Sequence, residues 1–509
     1  MKQNKKGSNM MISLIAGVIS FGVTLCINFF LSPFIVETVG TAAYGFVNLA
    51  NNFITYASII TIAVNSMAGR FISIEIHRGN TEGANKYFSS IMSANLILST
   101  IMLFLTVISV VYLDAILDIP IGLVGDVRLL FVFIFLNFVI STLFSTYSSA
   151  TFIADRMDIL YKRQIESNLI RVAILLISYT FFSSNVFYVG LATIISAVYV
   201  VMFNIYYMRK FFPEVTFKQK NIELKKIITV IKSGIWNSIT NLGNVLLDGL
   251  DLLISNKFFT ALAMGQVSLS KILCSSFKLL LSTISGIFTP RFVIDYANND
   301  KDKLITDLKF SMKVTSILSN IFLSIAIALG FYFFQLWVPG EEIELIYKLS
   351  ILGSISVILS GVVTPLWSVF TVTNKLRANS IITLITGFVS TLITIVLIKN
   401  TSYGLYAIVA TSGIISIIRN IFVTPIHVSS VLKISKKTFY SPIFLNVFVS
   451  LILSALFYSI GKIVAPNSWL VLILLAFIFG IIGIIFNYFI MLNKNEKKLI
   501  KEMIFKKRV

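Results

Sequence analysis

Residues 234–258 read GIWNSITNLGNVLLDGLDLLISNKF, an otherwise apolar stretch that carries Asn237, Asn241, Asn244, Asp248 and Asp251 at helical spacing. At roughly 100° per residue these five fall on a stripe about 80° wide, so a straight helix turns all of them toward one neighbour or one cavity. Carboxylates and carboxamides are costly against hydrocarbon, and inside a membrane bundle they mark a substrate or ion pathway. The stretch therefore predicts a helical membrane protein that moves something polar, with Asn237, Asn241 and Asn244 as the polar face of a cavity.

Composition extends that reading to the whole chain. Of 509 residues, 57% are hydrophobic and 13% charged, and the mean hydropathy is +0.90. No soluble globular chain of this size needs so much apolar surface. At roughly 20 residues per crossing the sequence accommodates about 14 transmembrane helices, which makes this an all-α polytopic membrane protein. The net charge of +20 is distributed along the chain as a topology signal. Lysine and arginine gather on alternate connections: Lys2, Lys5 and Lys6, the Arg70 to Lys86 loop, the Arg156 to Arg163 loop, the Arg209 to Lys232 connection, and the tail from Lys494 to Arg508. By the positive-inside rule these face the cytoplasm, as do both termini. Nucleic acid is accordingly not the expected partner; anionic lipid headgroups beside the basic connections are.

Helix 1 is too long for a signal-peptide core and no small-residue cleavage site follows it, so it is expected to remain in the mature protein. With two cysteines and two histidines, neither a disulfide framework nor a metal cluster is expected, and no cofactor motif is present. The tail LIKEMIF places Leu499, Ile500, Met503 and Ile504 on one side, a pattern that suits an interfacial amphipathic helix or a solvated charged tail.

The chain also repeats itself. TAAYGFVNL at 41–49 and ALAMGQVSL at 261–269 align Gly45, Val47 and Leu49 with Gly265, Val267 and Leu269, and each copy runs on to RFISIE from Arg70 or RFVID from Arg291. Agreement in order, spacing and membrane side predicts a duplicated six-helix unit. Six crossings are an even number, so the copies are parallel, and a central cavity is expected at the repeat interface. The expected division is 1–214 for the first six-helix bundle, 215–232 for a basic cytoplasmic linker, 233–436 for the second bundle, and 437–509 for helices 13 and 14 with the tail.

Helix 8 bears Lys271 and Lys278, seven residues apart on one face that Ser268, Ser275 and Ser282 extend. Asp248 and Lys271 lie at comparable depth, so an ion pair is one reading. A proton or Na+ coupling site at Asp248 and Asp251 is a second, and a cationic patch for an anionic headgroup is the third. The repeat register sets Asn28 opposite Asp248 and Asn51 opposite Lys271, giving charges in the second half and neutral amides in the first. Arg70 and Arg291, followed by Glu75 and Asp295, are either snorkelled basic residues or a cytoplasmic gate of ion pairs. Arg171 reads as a snorkelling residue, and Arg419 sits deeper. Pro33, Pro365 and Pro425 interrupt apolar spans and predict bends.

The segment SPFIVETVGTAAYGFVNLANNFITYASIITIAVNSMAGRFI, residues 32–72, and the stretch ATFIADRMDILYKRQ, residues 150–164, resemble bacterial polysaccharide flippases of the Wzx type. These belong to the multidrug, oligosaccharidyl-lipid and polysaccharide (MOP) exporter superfamily. The resemblance implies two six-helix bundles around a cavity, alternating access in the bacterial cytoplasmic membrane, and passage of an undecaprenyl-diphosphate-linked glycan to the outer leaflet. It also implies a polysaccharide polymerase and glycosyltransferases as partners, and no enzymatic chemistry. By this likeness Lys271, Lys278, Asn28 and Asn51 would meet the headgroup. The related lipid II flippases carry an Arg-Asp pair in helix 1 where this chain has Ile27 and Asn28, which favours a cell-surface repeat unit over lipid II. A cation-coupled drug or metabolite antiporter of the same superfamily is the alternative, and a membrane-embedded glycan-modifying enzyme is a third reading.

Overall fold

The computed structural model describes residues 2–497 apart from 155, 374 and 495, so the expected amphipathic tail at Leu499 to Ile504 lies outside the described residues. Every regular element among those described is helical. Two compact units divide the chain at Gly265.

The first unit contains α1 (Lys2–Val39), α2 (Thr41–His77), α3 (Thr81–Val111), α4 (Val124–Leu143), α5 (Met157–Phe181), α6 (Phe187–Phe211) and α7, which runs in two pieces, Leu224–Asn244 and Asp251–Phe258. Helix α5 packs on α1 and α6, α4 on α3 and α6, and α2 on α3 and α7. Ile72, Phe88, Ile91, Met208 and Val230 form a shared core between α2, α3, α6 and α7. A Cβ on Gly234 of α7 would collide with the Ala63 carbonyl of α2, so glycine there permits the close approach of the two backbones. Packing thus joins α7 to the first unit, whereas the sequence repeat starts its second copy there.

The remaining helices are α8 (Ala261–Ala297), whose first turn through Gly265 belongs with the first unit, α9 (Lys301–Trp337), α10 (Ile343–Val372), α11 (Leu376–Asn400), α12 in two pieces, Leu405–Ile418 and Thr424–Leu432, α13 (Tyr440–Val464) and α14 (Trp469–Met491). In the second unit α9 packs on α10, α10 on α12, and α11 on α12. This repeats, six helices later, the α3–α4, α4–α6 and α5–α6 pairings of the first unit. Helices α13 and α14 lie on α9. Phe457 and Phe479 stack there at 4.3 Å, and Asn320 donates to Asn487 at 3.1 Å.

Local turn chemistry recurs as well. Gly79 and Asn299 both adopt positive φ, and the next residues, Asn80 and Asp300, cap α3 and α9 by accepting from Gly83 N and Lys303 N. Asn80 N bonds Glu75 O and Asp300 N bonds Asp295 O, each at 3.0 Å. These paired turns have the spacing of Gly45 and Gly265, so the duplication is visible in backbone geometry as well as in residue identity.

Among the described residues twelve helices are long and apolar enough to cross a membrane. Helices α5 and α7 are the two long ones left out of that set, and the reason is their polar load. Helix α5 carries Asp158, Lys162, Arg163, Glu166 and Arg171, while the first piece of α7 begins with a lysine pair and ends with three asparagines.

The connection between α6 and α7 is held down as a strap. Asn85 of α3 donates to Glu214 O at 3.0 Å and accepts from Thr216 N at 2.7 Å, while Ser89 and Ser90 accept from Lys218 N and Glu223 N. Lys86 reaches the Glu223 carboxylate at 3.0 Å, and its hydrogen bond holds that carboxyl below the ordinary glutamate range. Helix α7 starts at Leu224, so the last part of the linker expected at 215–232 is helical.

Candidate transport site

The straight helix on which the stripe from Asn237 to Asp251 was drawn is interrupted. Between Asn244 and Asp251 the chain makes a π turn at Val245–Gly249, which widens the helix and changes the direction of the residues beyond it. Asn237 and Asn241 are half-buried, Asn244 is exposed, Asp248 is half-buried and Asp251 is buried. Asn237 donates to Ser66 Oγ of α2 at 3.3 Å.

The π turn sends the Gly249 carbonyl to side chains of α2. It accepts from Tyr56 Oη at 2.6 Å and from Asn52 Nδ2 at 3.2 Å. Asn52 and Tyr56 are one helical turn apart and so reach the same point. The outer end of α7 is fixed in turn by Asn256, which brackets Asp118 by accepting from its N–H at 3.0 Å and donating to its carbonyl at 3.1 Å. The result is a broken helix with a buried carboxylate held at a defined height, the arrangement that membrane carriers use to line polar pathways.

Of the other expected headgroup residues, Asn51 is exposed and its side chain bonds within its own helix, to Val47 O at 2.9 Å; its neighbour Asn52 makes the contact to α7. Lys271 is half-buried and Lys278 exposed on α8. Asn28 accepts from Arg171 Nη2 at 3.1 Å. Three of the four expected gate residues have partners inside their own units. Glu75 accepts from Asn80 at 2.6 Å, Arg291 pairs with Asp307, and the buried Asp295 pairs with Lys303 at 3.1 Å. Arg70 is exposed.

Sequence reasoning passed over a second polar region, in the first unit. Helices α4, α5 and α6 line a half-open cavity of about 350 Å³ that includes Asn137, Ser141, Gln164, Asn168, Arg171 and Asn204. Arg171 stands 14 residues into α5 from Met157, or roughly 21 Å at 1.5 Å per residue. Its guanidinium bonds Asn28 of α1 and lines this cavity. The signal was available: Gln164, Ser167, Asn168 and Arg171 share one face of α5, and Thr193, Ser196 and Asn204 share one of α6.

Comparison with known proteins gives one consistent picture. Residues 7–293 match the family described as "Polysaccharide biosynthesis protein". A Bacillus subtilis (strain 168) protein described as "Uncharacterized membrane protein EpsK" is 26% identical over 489 residues, covering 96% of this chain and 97% of that one. Among solved structures, an inward-facing multidrug resistance MATE family transporter of the MOP superfamily superposes with a TM-score of 0.61 at 13% identity, over 81% of this chain and 96% of that one. A MOP superfamily transporter from Pyrococcus furiosus gives 0.58 at 15% identity, over 84% and 97%. At these identities the structural likeness establishes the fold.

Proposed function

The chain belongs to the polysaccharide biosynthesis protein family and has the fold of MOP superfamily transporters, and from this we propose that it carries an undecaprenyl-diphosphate-linked oligosaccharide from the inner to the outer leaflet of the bacterial cytoplasmic membrane. The family match over more than half the chain carries this reading. The broken, polar α7 supports a transport role, since a merely structural span would not need to bury Asp251 beside a π turn.

Each residue class then has a task. Lysines supply point charges that hold a diphosphate without reading its sugar, which suits Lys271 and Lys278. Asp248 and Asp251 are the carboxylates of α7 available for proton or Na+ coupling, and a cation-coupled antiporter is the second reading because it would use Asp251 in the same way. The polymerase and glycosyltransferases of the same glycan are the proposed protein partners.

Depletion in cells that assemble a surface glycan should cause lipid-linked repeat units to accumulate on the inner leaflet, identified by mass spectrometry of extracted lipids. Unchanged lipid-linked pools, together with loss of ion-driven export of a small cationic compound, would replace this reading with the antiporter. Gln at both Lys271 and Lys278 should reduce glycan export while leaving membrane abundance unchanged.

A further inference from the structure

The polar cavity of the first unit is built from three stripes, one on each of α4, α5 and α6. Its charge balance is unusual. Arg171 is its one lining cation and no carboxylate lines it. Among the described residues Arg171 makes no ion pair, and Asn28 Oδ1 is its single hydrogen-bond acceptor. Its Nε–H is enclosed without a protein acceptor. Arginine cannot shed its proton to escape this situation, and a half-buried guanidinium with its Nε–H closed off from solvent is stabilised by an anion. The rest of the polar lining is amide and hydroxyl, beside the apolar Phe144, Ala197, Val200 and Val201. Gln164 and Asn204 have no side-chain partner among the described residues, so their donors and acceptors remain available to an occupant.

We propose that this cavity binds one acidic sugar of the transported glycan, with Arg171 on its carboxylate and Gln164 and Asn204 on its ring hydroxyls. Three observations select that chemistry. A single planar guanidinium matches one carboxylate, whereas a phosphate of higher charge calls for more cations or a cradle of backbone N–H groups. Free amides that both donate and accept suit hydroxyls, which do the same. A cavity of about 350 Å³ is at the small end of ligand sites and holds a sugar unit but not a whole lipid-linked repeat. The proposal rests on the transport reading and adds to it the class of residue that the glycan must contain.

The test uses the full chain in lipid nanodiscs, with glucuronate, methyl glucoside and inorganic phosphate as separate probes and saturation-transfer NMR as the readout. Wild type should bind glucuronate at least about tenfold more tightly than methyl glucoside. R171Q should abolish that preference, and Q164A with N204A should weaken both sugars together. The second variant leaves the Arg171–Asn28 contact in place, so it remains informative if R171Q fails to fold. Equal binding of the two sugars by wild type, or glucuronate preference that survives R171Q, would overturn the assignment. Phosphate binding more tightly than glucuronate and lost in R171Q would overturn it in favour of a phosphate site. Failure of the transport reading shows separately, as unchanged lipid-linked glycan pools on depletion of the wild-type protein.

Discussion

The meeting of Tyr56 and Asn52 on one carbonyl is the smallest unit from which the transport helix is built. Both side chains donate to Gly249 O, so either alone keeps that group satisfied, and losing both leaves a buried acceptor exposed by the π turn without a side-chain donor. Y56F or N52A should each cost about 1 kcal/mol or less, and the double variant more than the sum, since an unsatisfied buried group is charged its full desolvation. Thermal unfolding of the purified protein in detergent measures this. Strict additivity would mean that the carbonyl finds another donor. None of this pairing was readable beforehand. Periodicity places Asn51 and Asn52 on adjacent faces of α2 and gives no ground for choosing the second over the first. Arg171 was read as a snorkelling residue, because only the packing of α4, α5 and α6 shows the polar cavity that its face lines.

At the scale of elements, helix existence was the most readable property and helix continuity the least. The apolar runs agree with the helices observed, whereas the caps at Asn80 and Asp300 emerge only from the structure. A π turn inserts its extra residue without any composition signal, so the stripe from Asn237 to Asp251 reads as straight in the sequence and is broken in the structure. The strap between α6 and α7 was read as a basic linker near lipid, whereas the backbone of Glu214, Thr216, Lys218 and Glu223 is bonded to side chains of α3. Asn85 satisfies one carbonyl and one N–H of the strap. N85A should therefore raise the rate of limited proteolysis within residues 212–223 severalfold while the rest of the chain stays intact. The Lys86–Glu223 pair has a definite pH sense. Its carboxyl is depressed below the unfolded value, so the pair contributes fully above the ordinary glutamate range and fades as pH falls through the depressed value. Protease sensitivity of the strap should then rise only in acid. A rise between pH 6 and 8 would point to a different group.

At the scale of the whole molecule, a chain with twelve strongly apolar helices among its described residues must still place its basic segments. If α5 and α7 did not cross, the loop after α5 would stay inside and the strap would fall outside, with every other connection unchanged. The strap carries Lys218 and Lys220 and is followed at once by Lys225 and Lys226, and the positive-inside rule opposes exporting such a segment. Helix α5 has 25 residues, about 37 Å of helix against a core of roughly 30 Å, so length is no obstacle. Gln164, Ser167, Asn168 and Arg171 face the cavity between α4, α5 and α6 instead of lipid, which lowers the penalty that hydropathy assigns them. We therefore predict fourteen crossings, with α5 and α7 held by the bundle instead of by lipid. In a background lacking Cys26 and Cys274, a cysteine at Ser184 should react with a membrane-impermeant thiol reagent added to intact cells. A cysteine at Lys220 should react only after the membrane is opened. The reverse pattern at both positions would establish twelve crossings and place the basic strap on the outer face, where it could not meet the anionic inner leaflet.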